Sequence, residues 1–153
     1  MNLDLSGKNA LVCGSSAGIG KAIATELAEM GATVFLMARN EEKLQAVLKE
    51  LPAPSSQSHQ FLVADFSNVN QVEEVINECV KSNPIHILIN NTGGPPGGPI
   101  VDAKREEFTH AFSMHLLCNH TLVQGVKQSM IDEGYGRIVN IISTSVKQPL
   151  NGL

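Results

Sequence analysis

Cysteine is scarce and scattered. Cys13, Cys79 and Cys118 stand far apart with no Cys-x-x-Cys pair, which excludes a disulfide-stapled framework and suits free, buried thiols in a reducing compartment. Aromatic residues make up only 4% of the chain, with no tryptophan and one tyrosine, the single oddity in an otherwise ordinary composition. No apolar run approaches the ~18 residues that a membrane span needs. The start, Met1-Asn2-Leu3-Asp4-Leu5, has an acid and no basic leader region, so a cytoplasmic protein without membrane contact is expected. Lysine and arginine do not gather into a stripe and the formal net charge is -4; the footprint of a phosphate-backbone binder is missing, and nucleic acid is not an expected partner.

What is present fits a soluble α/β protein: 42% hydrophobic and 17% charged residues, with 13 Gly and 7 Pro. A length of 153 residues suits one domain, 1–153. Five short aliphatic runs read as strands: Asn9 to Cys13, Thr33 to Met37, Gln60 to Ala64, Ile85 to Ile89 and Arg137 to Ile142. They are nearly continuous rather than alternating, the pattern of parallel strands buried on both faces.

Helical spacing occupies the intervals. Ile19 to Met30 has Ile19, Ile23, Leu27 and Met30 on one stripe, and Gly31 ends it. Asn40 to Leu51 begins at a capping asparagine and stops at Pro52, and Asn68 to Lys81 follows with five aliphatic residues on one face. A longer helix is expected from about Asp102 to Met130, after the loop Gly93 to Pro99. Because crossovers between parallel strands are right-handed, this order predicts a Rossmann-type, doubly wound parallel sheet of five strands.

The first strand runs into Gly14-Ser15-Ser16-Ala17-Gly18-Ile19-Gly20 and then directly into a helix. Glycine is wanted where the chain turns with φ > 0, where backbone approaches a pyrophosphate and where helix packs tightly on strand. The helix start then offers unpaired N–H groups to phosphate. An empty strand-to-helix turn is the alternative. At the end of the second strand, where a carboxylate would bind a ribose 2′-hydroxyl, stands Ala38-Arg39-Asn40. The Arg39 guanidinium suits a 2′-phosphate, which favours NADP over NAD; a solvated arginine is the alternative.

The spacing Gly-x3-Gly-x-Gly, with the segments that follow it in order, resembles the short-chain dehydrogenase/reductase family, and more narrowly its 3-oxoacyl-carrier reductases. Asp65 in Val63-Ala64-Asp65-Phe66-Ser67 is similar to the family acid that bonds the adenine. Asn90-Asn91-Thr92-Gly93 resembles a family segment that braces the sheet and lines the cofactor cleft. Gly136 to Ser143 resembles the strand that ends in the catalytic serine. The resemblance implies an NADP-dependent oxidoreductase acting on a carbonyl or secondary alcohol, acting as a homo-oligomer. Gly14, Ser15, Ser16, Gly18, Ile19, Gly20, Arg39, Asp65, Phe66, Asn91, Thr92 and Gly93 would hold cofactor, and Ser143 the substrate oxygen. A hydroxyl capping the strand end in Ser143-Thr144-Ser145 is the alternative.

Two departures stand out. The family's asparagine on the long helix aligns with His115. The family's Tyr-x3-Lys pair lies about a dozen residues past the serine, whereas ten residues follow Ser143 and the sole tyrosine, Tyr135, precedes the fifth strand. The chain thus reads as truncated before that pair, ending in a loop-like stretch, with an unpaired fifth strand and an uncovered long helix. Two readings follow: an NADP-dependent oxidoreductase, or a catalytically inactive module that binds nucleotide or pairs with another subunit. Metal is not expected, because His110, His115 and His120 at intervals of five would not share a face of an α-helix.

Overall fold

The structure, a computed structural model, describes residues 3–94 and 96–148. The terminal loop read at 148–153 lies outside the described residues beyond Gln148. Five strands, β1 (Asn9–Cys13), β2 (Thr33–Ala38), β3 (Gln60–Val63), β4 (Ile87–Asn90) and β5 (Arg137–Asn140), pair in the order β3-β2-β1-β4-β5. All four pairings are parallel. Helices α1 (Gly18–Glu29), α2 (Glu41–Glu50) and α3 (Val69–Val80) connect them, with α4 (Arg105–Phe112), a π-helical turn (Ser113–Leu117) and α5 (Cys118–Asp132) in the last crossover.

Side-chain alternation along β1 sorts the core into two layers. Ala10 and Val12 face the small side chains Ala24 and Ala28 of α1 and Leu44 and Val47 of α2. Leu11 and Cys13 face Val72 and Ile76 of α3 and Leu122 and Val126 of α5. Connections therefore change faces between β1 and β4. At such a switch point the C-terminal ends of parallel strands leave a crevice.

The structure departs from the sequence expectations in three places. The long helix does not start at Asp102: a 3-10 turn covers Ile100–Asp102, and α4 begins at Arg105 once the Glu107 carboxylate accepts from the Lys104 N–H. It is also interrupted at the π turn. Strand ends move because pairing, not composition, defines them: β4 registers Ile87 opposite Ala10, which leaves Ile85 before the strand, and β5 stops at Asn140. Nor is every strand buried: β5 is exposed along its length, and Ile138, Val139, Ile141 and Ile142 keep 37–68% of their surface. Among the described residues β5 pairs only with β4. The three cysteines are free and buried, as expected; burial pushes the Cys79 thiol up to about 11 and raises Cys13 and Cys118 as well, so none is a reactive thiolate.

At the N-terminal edge of the sheet, buried His86 joins β1 to the segment before β4. Its Nδ1 accepts from Asn9 N–H at 2.9 Å, so Nε2 bears the proton and faces Glu133 Oε2 at 3.7 Å. Burial, then the charge of Lys8, hold its pKa below the ordinary histidine value, with Glu133 opposing. Protonation would put a second N–H against Asn9 N–H. Because the folded value lies below the unfolded one, His86 withholds nothing from stability above about pH 6.5. Below it the unfolded chain takes up a proton the folded chain refuses, at a slope of up to ~1.4 kcal/mol per pH unit. Urea midpoints should fall between pH 6.5 and 5, and His86→Gln, which keeps an acceptor for Asn9, should flatten that fall; an unchanged slope would assign it elsewhere.

Candidate functional site

The glycine turn is closed on itself. Gly14 and Gly18 adopt φ of +59° and +56°, a left-handed conformation costly for other residues. A Cβ on Gly14 would lie 2.5 Å from Asn91 O, and one on Gly20 2.3 Å from Gly14 O. Asn91 completes the lock, its Nδ2 donating to the carbonyls of Cys13 at 3.2 Å and Gly14 at 3.4 Å. The N-cap of α1 is Ala17, in extended conformation, and no side chain caps the helix. Its first N–H groups, with the positive end of the helix dipole, remain open to an anion.

Around this turn the C-terminal ends of the strands enclose a cavity of about 390 Å³. Gly14 and Ser16 come from the turn, Ala38 and Arg39 from β2, Asp65 to Ser67 from β3, and Thr92 to Gly94 from β4. Arg39 is exposed. The Asp65 carboxyl is held below its usual range, chiefly by the Ser67 N–H donating to it at 2.9 Å, with Arg39 and His110 adding positive charge. The loop is itself fixed: Gln71 Oε1 accepts from Asp65 N–H, and the Cys118 thiol donates to Phe66 O at 3.1 Å.

Of the residues singled out in the sequence, Gly14, Ser16, Arg39, Asp65, Phe66, Thr92 and Gly93 meet at this cavity. Others stand behind or beside it. Ser15 is fully buried and its Oγ accepts from Met37 N–H at 3.0 Å, tying the turn to β2. Gly20 and Asn91 support the turn, Ile19 is 60% exposed, and a Cβ on Gly18 would meet nothing within 4 Å. Ser143 is exposed and caps a 3-10 turn (Thr144–Val146), its Oγ accepting from Ser145 N–H at 3.1 Å and Ser145 O–H at 2.7 Å.

Two residues of the cavity lining, His110 and Met114, were not expected there from the sequence. Asn90, buried at the end of β4, donates through Nδ2 to Asn140 Oδ1 at 2.8 Å and so zips β4 to β5. Thr92 Oγ1 and His115 Nδ1 are hydrogen-bonded at 2.7 Å. The five-residue histidine interval was read on a regular α-helix. In the π turn Cys118 N–H bonds Ser113 O, five residues back. Across this local underwinding His110 lines the cavity and His115 bonds the wall residue Thr92, while His120 does neither. No group of three His, Cys, Asp or Glu among the described residues is arranged to hold a metal.

The sequence profile of the family described as short chain dehydrogenase matches residues 8–153. The chain belongs to the short chain dehydrogenase family. Among its relatives, the 3-oxoacyl-[acyl-carrier-protein] reductase FabG of Rickettsia bellii (strain RML369-C) is 32% identical over 141 residues, covering 92% of this chain and 56% of the relative. A human relative named "Inactive hydroxysteroid dehydrogenase-like protein 1" is 33% identical over 145 residues, 94% of this chain and 44% of the relative. Among solved structures, L-sorbose reductase from Gluconobacter frateurii, complexed with NADPH and L-sorbose, superposes with a TM-score of 0.92 at 29% identity, over 99% of this chain and 58% of that one. The chain thus spans about half the length of the curated relatives it matches.

Membership in the short chain dehydrogenases sharpens the meaning of Tyr135. Its ring lies between Lys8 Nζ and the Arg137 guanidinium, 4.7 and 4.6 Å from its centroid, and edge-on to His86 at 6.3 Å. This is the N-terminal edge of the sheet, opposite the glycine turn. The chain's one tyrosine is a structural residue there and cannot donate a proton in the cleft.

Proposed function

We propose that the cleft binds NADP(H) and that this short chain dehydrogenase serves hydride transfer between that cofactor and a carbonyl or secondary alcohol. The observation that carries the reading is the conjunction, in one cavity, of an uncapped helix start and Arg39, which has no hydrogen bond or salt bridge to another described residue. These groups fit a dinucleotide with an added 2′-phosphate: the α1 N–H groups for the pyrophosphate, the Arg39 fork for the 2′-phosphate, and Asp65 for the adenine. Bound there, the nicotinamide would supply or accept the hydride. Thr92 and Gly93 would form the wall beside it, and Ser143, at the end of β5, would hold the substrate oxygen. NADPH accompanies the Gluconobacter reductase as well.

Substrate class is the finer part of the proposal: a 3-oxoacyl thioester, by analogy with the Rickettsia reductase. A second reading, nucleotide binding without turnover, is favoured by the position of Tyr135 on the opposite edge. Titration of the chain with NADPH and NADH, followed by nicotinamide fluorescence, tests the shared part. Charge-assisted hydrogen bonds contribute ~1.5–3 kcal/mol each, so Arg39→Ala should weaken NADPH about 10- to 100-fold and leave NADH nearly unchanged. NADPH affinity that survives Arg39→Ala would refute the role of Arg39. Oxidation of NADPH at 340 nm with a panel of ketones then separates the readings, since turnover by this chain would eliminate the inactive one.

A further inference from the structure

His115 lies within the π turn at Ser113–Leu117. On one side of that turn His110 lines the cavity, and within it His115 bonds Thr92 of the cavity wall. Single π turns inside α-helices recur at functional sites because the extra residue re-aims a side chain at the loss of one regular hydrogen bond. Here that side chain reaches Thr92, a residue of the cavity wall next to Asn91, the brace of the glycine turn.

We propose that His115 is a positioning residue of the cofactor cleft, which fixes the Thr92 hydroxyl at the cavity wall and sets the direction of its hydrogen bond. A threonine hydroxyl both donates and accepts, whereas each nitrogen of a neutral imidazole does only one. With Thr92 O–H donating to Nδ1, the oxygen turns its lone pairs to the cavity and His115 bears its proton on Nε2. With Nδ1–H donating instead, the Thr92 O–H is released toward the cavity and Nε2 becomes an acceptor. The first arrangement matches the surroundings. Nε2 of His115 and Oδ1 of Asn119 are both buried without a hydrogen-bond partner among the described residues, and they stand one helical turn apart. The two atoms do not bond each other directly, and a donor on Nε2 is the complement of that buried carbonyl through a bridging water. Thr92 thus presents an acceptor to the cleft, and suits an N–H donor of the ligand.

This inference rests on the proposed binding of NADP(H). Its test is the NADPH dissociation constant of the wild type, Thr92→Val, Thr92→Ser, His115→Leu and the Thr92→Val/His115→Leu double variant, each with its urea midpoint. Loss of one such hydrogen bond corresponds to about a 5- to 10-fold weaker affinity. Thr92→Val and His115→Leu should each show that loss, and the double variant should be no weaker than the worse single one, as expected of two residues acting through one bond. Thr92→Ser should restore most of the affinity that Thr92→Val removes, although its stability differs. Should His115→Leu fail to fold, His115→Phe, which keeps a ring and removes both nitrogens, takes its place in the cycle. Equal affinities for Thr92→Val and Thr92→Ser, additive losses, or losses that follow the urea midpoints would overturn the proposal. A wild type that binds no NADPH would sink the proposed function itself, whereas binding unaffected by Thr92→Val would sink only the role of His115.

Discussion

Gly20→Ala should cost the chain about 4 kcal/mol of stability, a large share of the 5–15 kcal/mol that holds a domain folded. The added Cβ would sit 2.3 Å from the carbonyl oxygen and 2.7 Å from the carbonyl carbon of Gly14, and 2.9 Å from Asn91 Nδ2. The first two obstacles are backbone, so no rotamer change relieves them. Retreat of α1 from β1 is the only escape, and it would uncover Ala24 and Ala28, which are fully buried against the sheet. Gly98→Ala is the control, because a Cβ there meets nothing within 4 Å; it should change stability by no more than ~0.5 kcal/mol. Urea denaturation of the two variants beside the wild type checks both figures. Equal midpoints for Gly20→Ala and Gly98→Ala would contradict the close packing of the turn.

The second large effect is expected on the other face of the sheet. Gly125 lets α5 approach α3 so closely that a Cβ on it would lie 2.9 Å from both Cγ1 and Cγ2 of Ile76, a fully buried residue. Gly125→Val should therefore destabilise by about 3 kcal/mol through overpacking. Here the obstacle is a side chain, so the loss is repairable. Adding Ile76→Ala, which alone should cost ~2–5 kcal/mol as a cavity, makes room for the valine. The double variant should be more stable than the sum of the single losses predicts, in the manner of neighbouring residues that share one space. Strict additivity would show that the two helices do not meet at this pair. The position matters for the site, since α5 continues from the π turn that carries His115.

The glycine turn was legible because its requirements are local: a positive φ at Gly14, and a helix that starts within six residues of a strand end. The Asn40 cap was legible for the same reason, its side chain accepting from the backbone N–H three residues on; Asn68 caps the third helix in the same way. The π turn was not. Ser113 to Leu117 has ordinary helix formers, and what distinguishes it is a tertiary bond from His115 to Thr92, 23 residues away in sequence. A regular period carried across it gives no sign of the bond between His115 and Thr92.

Burial of β5 was misread for a related reason. Ile138, Val139, Ile141 and Ile142 have the composition of an interior strand, but composition reports what a strand can bury and not what covers it. Ser143 illustrates the same boundary: its place at a strand end follows from sequence, whereas its capping of a 3-10 turn follows from geometry. Arg39 lies between these cases, since its position is local and its lack of a hydrogen bond or salt bridge among the described residues is not.

The proposed occupant of the cleft at the C-terminal ends of the strands is a dinucleotide phosphate. The most direct measurement is residue-resolved ¹⁵N NMR of the chain during titration with NADPH. Shifts should concentrate on Gly14, Ser16, Gly18, Ile19 and Gly20, with Arg39, Asp65, Thr92 and Gly93, while His86, Tyr135 and Arg137 on the opposite edge stay still. Shifts confined to that opposite edge, or none at saturating NADPH, would contradict it.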